Sequence, residues 1–154
     1  MKKILLMAFL ISSMLGFSQF TSKSSGDWTS GTNWVGDISP PLTGGTKLND
    51  NVTIISGDII ELMGDLEVSS GTTLIIEGRL NVSGNVTFKN GSTILVKVGG
   101  ILHIMSSGAN ANNSTDVTIN GQMIIDDDFE AGAGSTIEGV GEVRSVVNTS
   151  DIVV

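Results

Sequence analysis

The chain has 154 residues, room for one domain or for one domain behind a leader. Its 8 Lys+Arg stand against 16 Asp+Glu, a net charge of −8. That balance excludes the basic stripe with which a nucleic-acid binder displaces counterions, and the polybasic patch of a membrane-surface protein. Cysteine is absent, which removes disulfides, Cys-ligated zinc, iron–sulfur clusters and thiol catalysis.

Residues 1–18 read as a secretory signal peptide. Lys2 and Lys3 form a positive start, Ile4 to Phe17 an apolar run, and Gly16-Phe17-Ser18 places small residues at −3 and −1 of a cut before Gln19. The run is shorter than the roughly 20 residues of a bilayer span. The mature chain then carries a charge of −10 and is expected outside the cell, secreted or on its surface.

Residues 19–49 hold both tryptophans, Trp28 and Trp34, and both prolines, Pro40 and Pro41. They read as an N-terminal cap, because an open solenoid end exposes core and unpaired strand edges. A sharper alternative makes Trp28 and Trp34 a flat aromatic platform for a sugar.

Residues 50–154 repeat. Segments beginning at Asp50, Gly71, Gly91, Asn113 and Gly134 start 21, 20, 22 and 21 residues apart. Each unit contains two or three short runs bounded by Gly, Asn, Ser and Asp. Within the runs apolar residues alternate, as in Val52/Ile54, Leu74/Ile76, Leu80/Val82 and Leu102/Ile104. A period of two marks a strand with one buried face. The expected fold is all-β: a single-stranded parallel β-helix, or β-solenoid, of about five coils. Leu80, Leu102, Met123 and Val143 should stack as one inner ladder. Glycine recurs at the corners, where the backbone needs positive φ or lacks room for a Cβ. An antiparallel sandwich shares the composition but does not require turn residues at this fixed period.

The quoted segments carry a resemblance. GDWTSGTNWVGDISPP followed by DNVTI resembles a segment common in secreted proteins of Bacteroidetes, and GTTLIIEGRLNVSGNVTF is similar to the solenoid regions of their large adhesin-like surface proteins. The leader ending Phe-Ser-Gln is similar to theirs. The resemblance implies a cell-surface or extracellular matrix role and identifies no ligand. Such proteins often carry a C-terminal sorting domain, and none is visible before the final SDIVV.

Few residues suggest chemistry. Asp126, Asp127, Asp128 and Glu130 form the densest acidic patch. Their oxygens suit Ca²⁺, but not at an EF-hand or nonapeptide spacing, and a solvated turn is the plainer reading. Otherwise no cofactor is expected. His103, the only histidine, should point outward as a surface residue without a partner motif. Glu61, Asp65, Glu67 and Glu77 are scattered carboxylates, and Arg79 stands alone. No acidic pair is signalled of the kind a polysaccharide-cleaving β-helix needs. Thr72, Thr73, Thr93, Thr115 and Thr136 recur at unit starts, too irregularly for a flat ice-binding face. Seven Asn-x-Ser/Thr sites, including Asn112, Asn113 and Asn148, follow from the turn vocabulary.

The expectation is therefore a non-enzymatic structural or adhesive surface protein. A carbohydrate-binding module built on Trp28 and Trp34 is one alternative, and a fragment of a polysaccharide-active β-helix enzyme another. The expected partners are a surface glycan and, through Val143, Val146, Val147 and Ile152–Val154 of the last unit, a second copy or another chain. No nucleic acid is expected.

Overall fold

A computed structural model describes residues 19–105, 109–111, 114–145 and, as backbone, 152–153. The leader, Val146, Val147, Val154 and the Asn112, Asn113 and Asn148 sites lie outside the described residues.

The chain winds into a β-solenoid with three strands per coil. The first sheet stacks Gln19–Thr21, Asn51–Ile54, Thr73–Ile76, Thr93–Val96, Asp116–Ile119 and Thr136–Glu138, all in parallel. The second stacks Gly26–Asp27, Ile59–Leu62, Arg79–Val82, Ile101–Ile104, Gln122–Ile125 and Glu142–Ser145. The third stacks Lys47–Leu48, Leu66–Val68, Val86–Phe88, Ala109–Ala111 and Phe129–Ala131. Parallel pairing is the consequence of coils that all wind one way and recur after nearly constant lengths.

Alternation inside each strand fills the core. Ile60, Leu80, Leu102, Met123 and Val143 are direct register partners on the second sheet, and all are buried. The expected inner ladder is therefore present. On the first sheet Val52, Leu74, Ile94 and Val117 do the same, and on the third Leu66, Val86 and Ala109. Side-chain volume is balanced between coils, for Phe88 lies in register with Ala111. Native packing density demands such compensation in a shared interior.

Both expected reasons for corner glycines occur. Gly91 has φ +75° with nothing near its missing Cβ, so only its backbone conformation selects glycine. At Gly121 a Cβ would lie 2.2 Å from the carbonyl oxygen of Gly100 in the preceding coil. Gly78, Gly100 and Gly141 precede the equivalent strands and are crowded in the same way. The coils approach too closely there for any side chain.

Two sheets end in a reversed strand. Leu42–Thr43 runs antiparallel to Lys47–Leu48, and Ile152–Val153 runs antiparallel to Glu142–Val143. At the end of the second sheet the chain thus folds back over the Glu142–Val143 edge, which removes that edge as a template for pairing.

Candidate functional site

The second sheet carries the most connected set of polar side chains. Residues at alternate positions point away from the core, so Asp27, Glu61, Asn81 and His103 fall in one outer row by register. Arg79 lies in the neighbouring row, two residues before Asn81 on the same face. These groups are linked from coil to coil. Asn81 Nδ2 donates to Glu61 Oε1 at 2.7 Å, and Arg79 Nε donates to Asn81 Oδ1 at 2.7 Å. An Arg79 terminal nitrogen meets His103 Nδ1 at 3.1 Å, and His103 Nε2 meets Asp126 Oδ1 at 3.1 Å.

The expectation for His103 is corrected by this geometry. It does point outward, but it is only 19% exposed and has partners on both ring nitrogens. Arg79 likewise does not stand alone, and Asn81 is buried under the flanking side chains. The signal lay in the repeat itself. Asn81 and His103 occupy equivalent positions of successive units, and residues two apart on a strand share a face. Asp126 comes into range only because the fourth coil turns its corner beside His103.

The acidic stretch separates rather than converges. Asp126 serves His103, Glu130 Oε2 accepts from Asn110 at 3.0 Å, and the Asp127 carbonyl accepts from Ser145 Oγ at 2.8 Å. Asp128 uses its backbone carbonyl to accept from the Ala109 amide. Among the described residues no three His, Asp or Glu side chains are grouped to hold a metal ion. Asp126, Asp127, Asp128 and Glu130 are thus not grouped as a metal site among the described residues.

Two of the scattered carboxylates, Glu67 and Glu77, pair with lysines. Glu67 lies between Lys47 at 3.6 Å and Lys89 at 3.3 Å, and Glu77 meets Lys97 at 2.5 Å. Exposed pairs of this kind contribute about 0–1 kcal/mol each. On the third sheet Asn85, Thr87, Asn110, Asp128 and Glu130 line an open depression of about 450 Å³. A second depression, of about 210 Å³, shares Asn85 and Thr87 and continues past Thr46, Asp65 and Glu67.

Trp28 and Trp34 are 1% and 0% exposed. Their rings meet edge to face with centroids 5.1 Å apart. Trp28 Nε1 donates to the Pro40 carbonyl at 3.0 Å, and Trp34 Nε1 to the Trp28 carbonyl at 2.9 Å. Each indole therefore buries its ring and satisfies its one donor, as a buried indole must. Neither ring presents a face on which a sugar stacks. Asp27 shapes the approach to Trp28: its carboxylate accepts from the Thr29 hydroxyl at 2.5 Å and the Thr29 amide at 2.7 Å. Those bonds, the hydroxyl's first, hold the Asp27 pKa below the ordinary value of 3.8 against a small opposing effect of burial.

The threonines divide by position. Thr72 and Thr115 are buried at the corner before the first-sheet strands, where Thr115 Oγ1 donates to the Phe88 and Lys89 carbonyls. The outer row through Thr53 and Thr118 is interrupted by Ile75 and Leu95. Taken together, fold and side chains define a three-sheet β-solenoid with a Trp-filled N-terminal segment. The chain matches no family model, no curated protein and no solved structure.

Proposed function

We propose that the chain is exported, is cut between Ser18 and Gln19, and serves outside the cell as a non-enzymatic structural or adhesive element of a surface or matrix. The observation that carries this reading is the linkage of outer side chains across coils. From Glu61 through Asn81, Arg79 and His103 to Asp126, polar groups bond to one another along the column. Such cross-links suit a stiff element. The likeness to adhesin-like surface proteins of Bacteroidetes supports the same reading from the sequence side.

Fractionation of native cells with a tagged chain, followed by protease added to intact cells, tests export. The expected result is a chain lacking its leader in the medium or open to the protease. Retention of the uncut chain in the cytosol would overturn the proposal.

This reading includes association through the C-terminal coil. Phe129 and Ile137 sit in register with buried Ala109 and Val117, yet each is only partly buried. Phe129–Ala131 and Thr136–Glu138 are the outermost strands of their sheets among the described residues. Light scattering on the mature chain should show dimers or longer species that increase with concentration. A monomer throughout would sink this part.

A glycan-binding reading is favoured by one observation, the polar trough on the third sheet. Its planar amides and carboxylates, Asn85, Asn110 and Glu130, suit sugar hydroxyls. Binding to a polysaccharide panel that is lost in Asn110→Ala with Glu130→Ala, and kept in Trp28→Phe, would support it over the aromatic platform.

A further inference from the structure

The only histidine of the chain stands within the run of linked side chains from Glu61 to Asp126. We infer that His103 works as a proton-operated clasp. While its ring is neutral it ties the second coil to the fourth, and when the ring gains a proton it releases the second.

The geometry gives the two ring nitrogens opposite responses. Arg79 can only donate, so its 3.1 Å approach to Nδ1 requires a lone pair there. Nε2 then carries the hydrogen of the neutral ring and gives it to Asp126 Oδ1, also at 3.1 Å. Protonation fills Nδ1. Two donors and two positive charges face each other at the Arg79 contact, and the bond is lost. At the Asp126 contact the same proton strengthens the bond, because a charged donor now meets a carboxylate. The ring therefore keeps the fourth coil and releases the second. Arg79 retains its Nε bond to Asn81, and Asn81 its bond to Glu61, so the run breaks at one place.

The surroundings leave this choice to Arg79 and Asp126. On the strand of His103, Ile101 and Met105 lie two residues to either side and carry no charge. The preceding strand offers Arg79 and Asn81, the latter in register with His103. The following strand offers Gln122 and Ile124, with Asp126 just past its end. Glu61 lies one strand further out on one side, Glu142 and Arg144 on the other. Glu61 is held by Asn81, and Arg144 donates to Glu142 at 2.7 Å. The His103 side chain is 19% exposed and that of Asp126 40%, so water reaches the pair and can deliver the proton.

Histidine is the side chain that ordinarily changes charge between about pH 5 and 8, and this chain has one. The contribution of Arg79 through this bond needs the neutral ring. It is present at the upper end of that range and is lost as pH falls through the titration of the ring.

Urea midpoints of the unaltered chain, Arg79→Met, His103→Gln and the double variant, taken in steps from about pH 8 to 5, test the clasp. The midpoint lost on Arg79→Met should shrink to less than about half across that range. In the His103→Gln background the effect of Arg79→Met should not vary with pH, because a glutamine oxygen accepts from arginine and does not titrate. NMR of the unaltered chain gives a reading that needs no variant. The contact between the Arg79 and His103 side chains should fade in step with protonation of the ring nitrogens. An Arg79 effect that is constant or grows toward pH 5, a contact that survives protonation, or a ring that keeps one charge state throughout the range would each overturn the inference.

Discussion

Arg79 and His103, on adjacent strands of the second sheet, approach to 3.1 Å between a guanidinium nitrogen and Nδ1 of the imidazole. Arginine has no acceptor, so Nδ1 must offer its lone pair. The neutral ring then carries its hydrogen on Nε2, where it donates to Asp126. The pair thereby fixes a tautomer as well as a contact. Because His103 is the only histidine, nitrogen-detected NMR reads it without assignment. Of the two neutral tautomers the Nε2–H form should dominate, and Arg79→Met should let the Nδ1–H form appear. A spectrum dominated by the Nδ1–H form in the unaltered chain would remove the Arg79 link. The loss of Arg79 should also cost about 1–2 kcal/mol, the scale of a charged hydrogen bond moderated by partial exposure.

A second prediction concerns the corner hydroxyls. Thr115 donates to the preceding coil, but the equivalent Ser92, 1% exposed, has an oxygen without a partner. Thr115→Ala should lose about 1–2 kcal/mol through a broken buried bond and a missing methyl. Ser92→Ala removes an unsatisfied group and should be neutral or stabilising by up to about 1 kcal/mol. Urea titrations of the two variants check the contrast. Equal losses would show that Ser92 does find an acceptor.

Leu102 lies at the centre of the second-sheet ladder, between Leu80 and Met123, and is fully buried. Leu102→Ala should cost about 2–5 kcal/mol, because neighbouring coils cannot close independently around the void. A midpoint unchanged in urea would contradict the stacked core.

The pH dependence has one resolved contribution. Asp27 has its pKa lowered by bonds from Thr29, so the folded state favours its ionised form. The stabilisation is present above the ordinary value of 3.8 and disappears as pH falls through the lower folded value. Asp27→Asn should therefore be less stable than the unaltered chain near neutrality, with the gap closing in acid. Urea midpoints measured down the acid range test this. A gap that widens in acid would have the wrong sign.

Both tryptophans are emission probes, being the only two. Buried as they are, they should emit at short wavelength and resist acrylamide, with no change on adding polysaccharide. Trp34→Ala should cost about 3–5 kcal/mol, as aromatic truncations in a core do. Sugar-dependent quenching would instead revive the aromatic platform.

Much of this fold is written in local pattern. The period of the glycines and the alternation of Leu80/Val82 and Leu102/Ile104 determine strands, corners and inward rows, because covalent geometry alone sends alternate side chains to opposite faces. The stacking of Leu80 on Leu102 followed from nearly equal unit lengths. Composition likewise sufficed to exclude cysteine chemistry. What the tertiary structure decided is what meets across coils. Tryptophan serves a core or a sugar face equally well by type, and only the chain path through Pro40 buries both rings and occupies both N–H groups. Asp126 stands next to acidic neighbours in sequence, but its partner is His103 in another coil. Contacts of this kind depend on register and on where each corner turns. Those are set by the packing of whole coils against one another, a property that no single stretch of sequence contains.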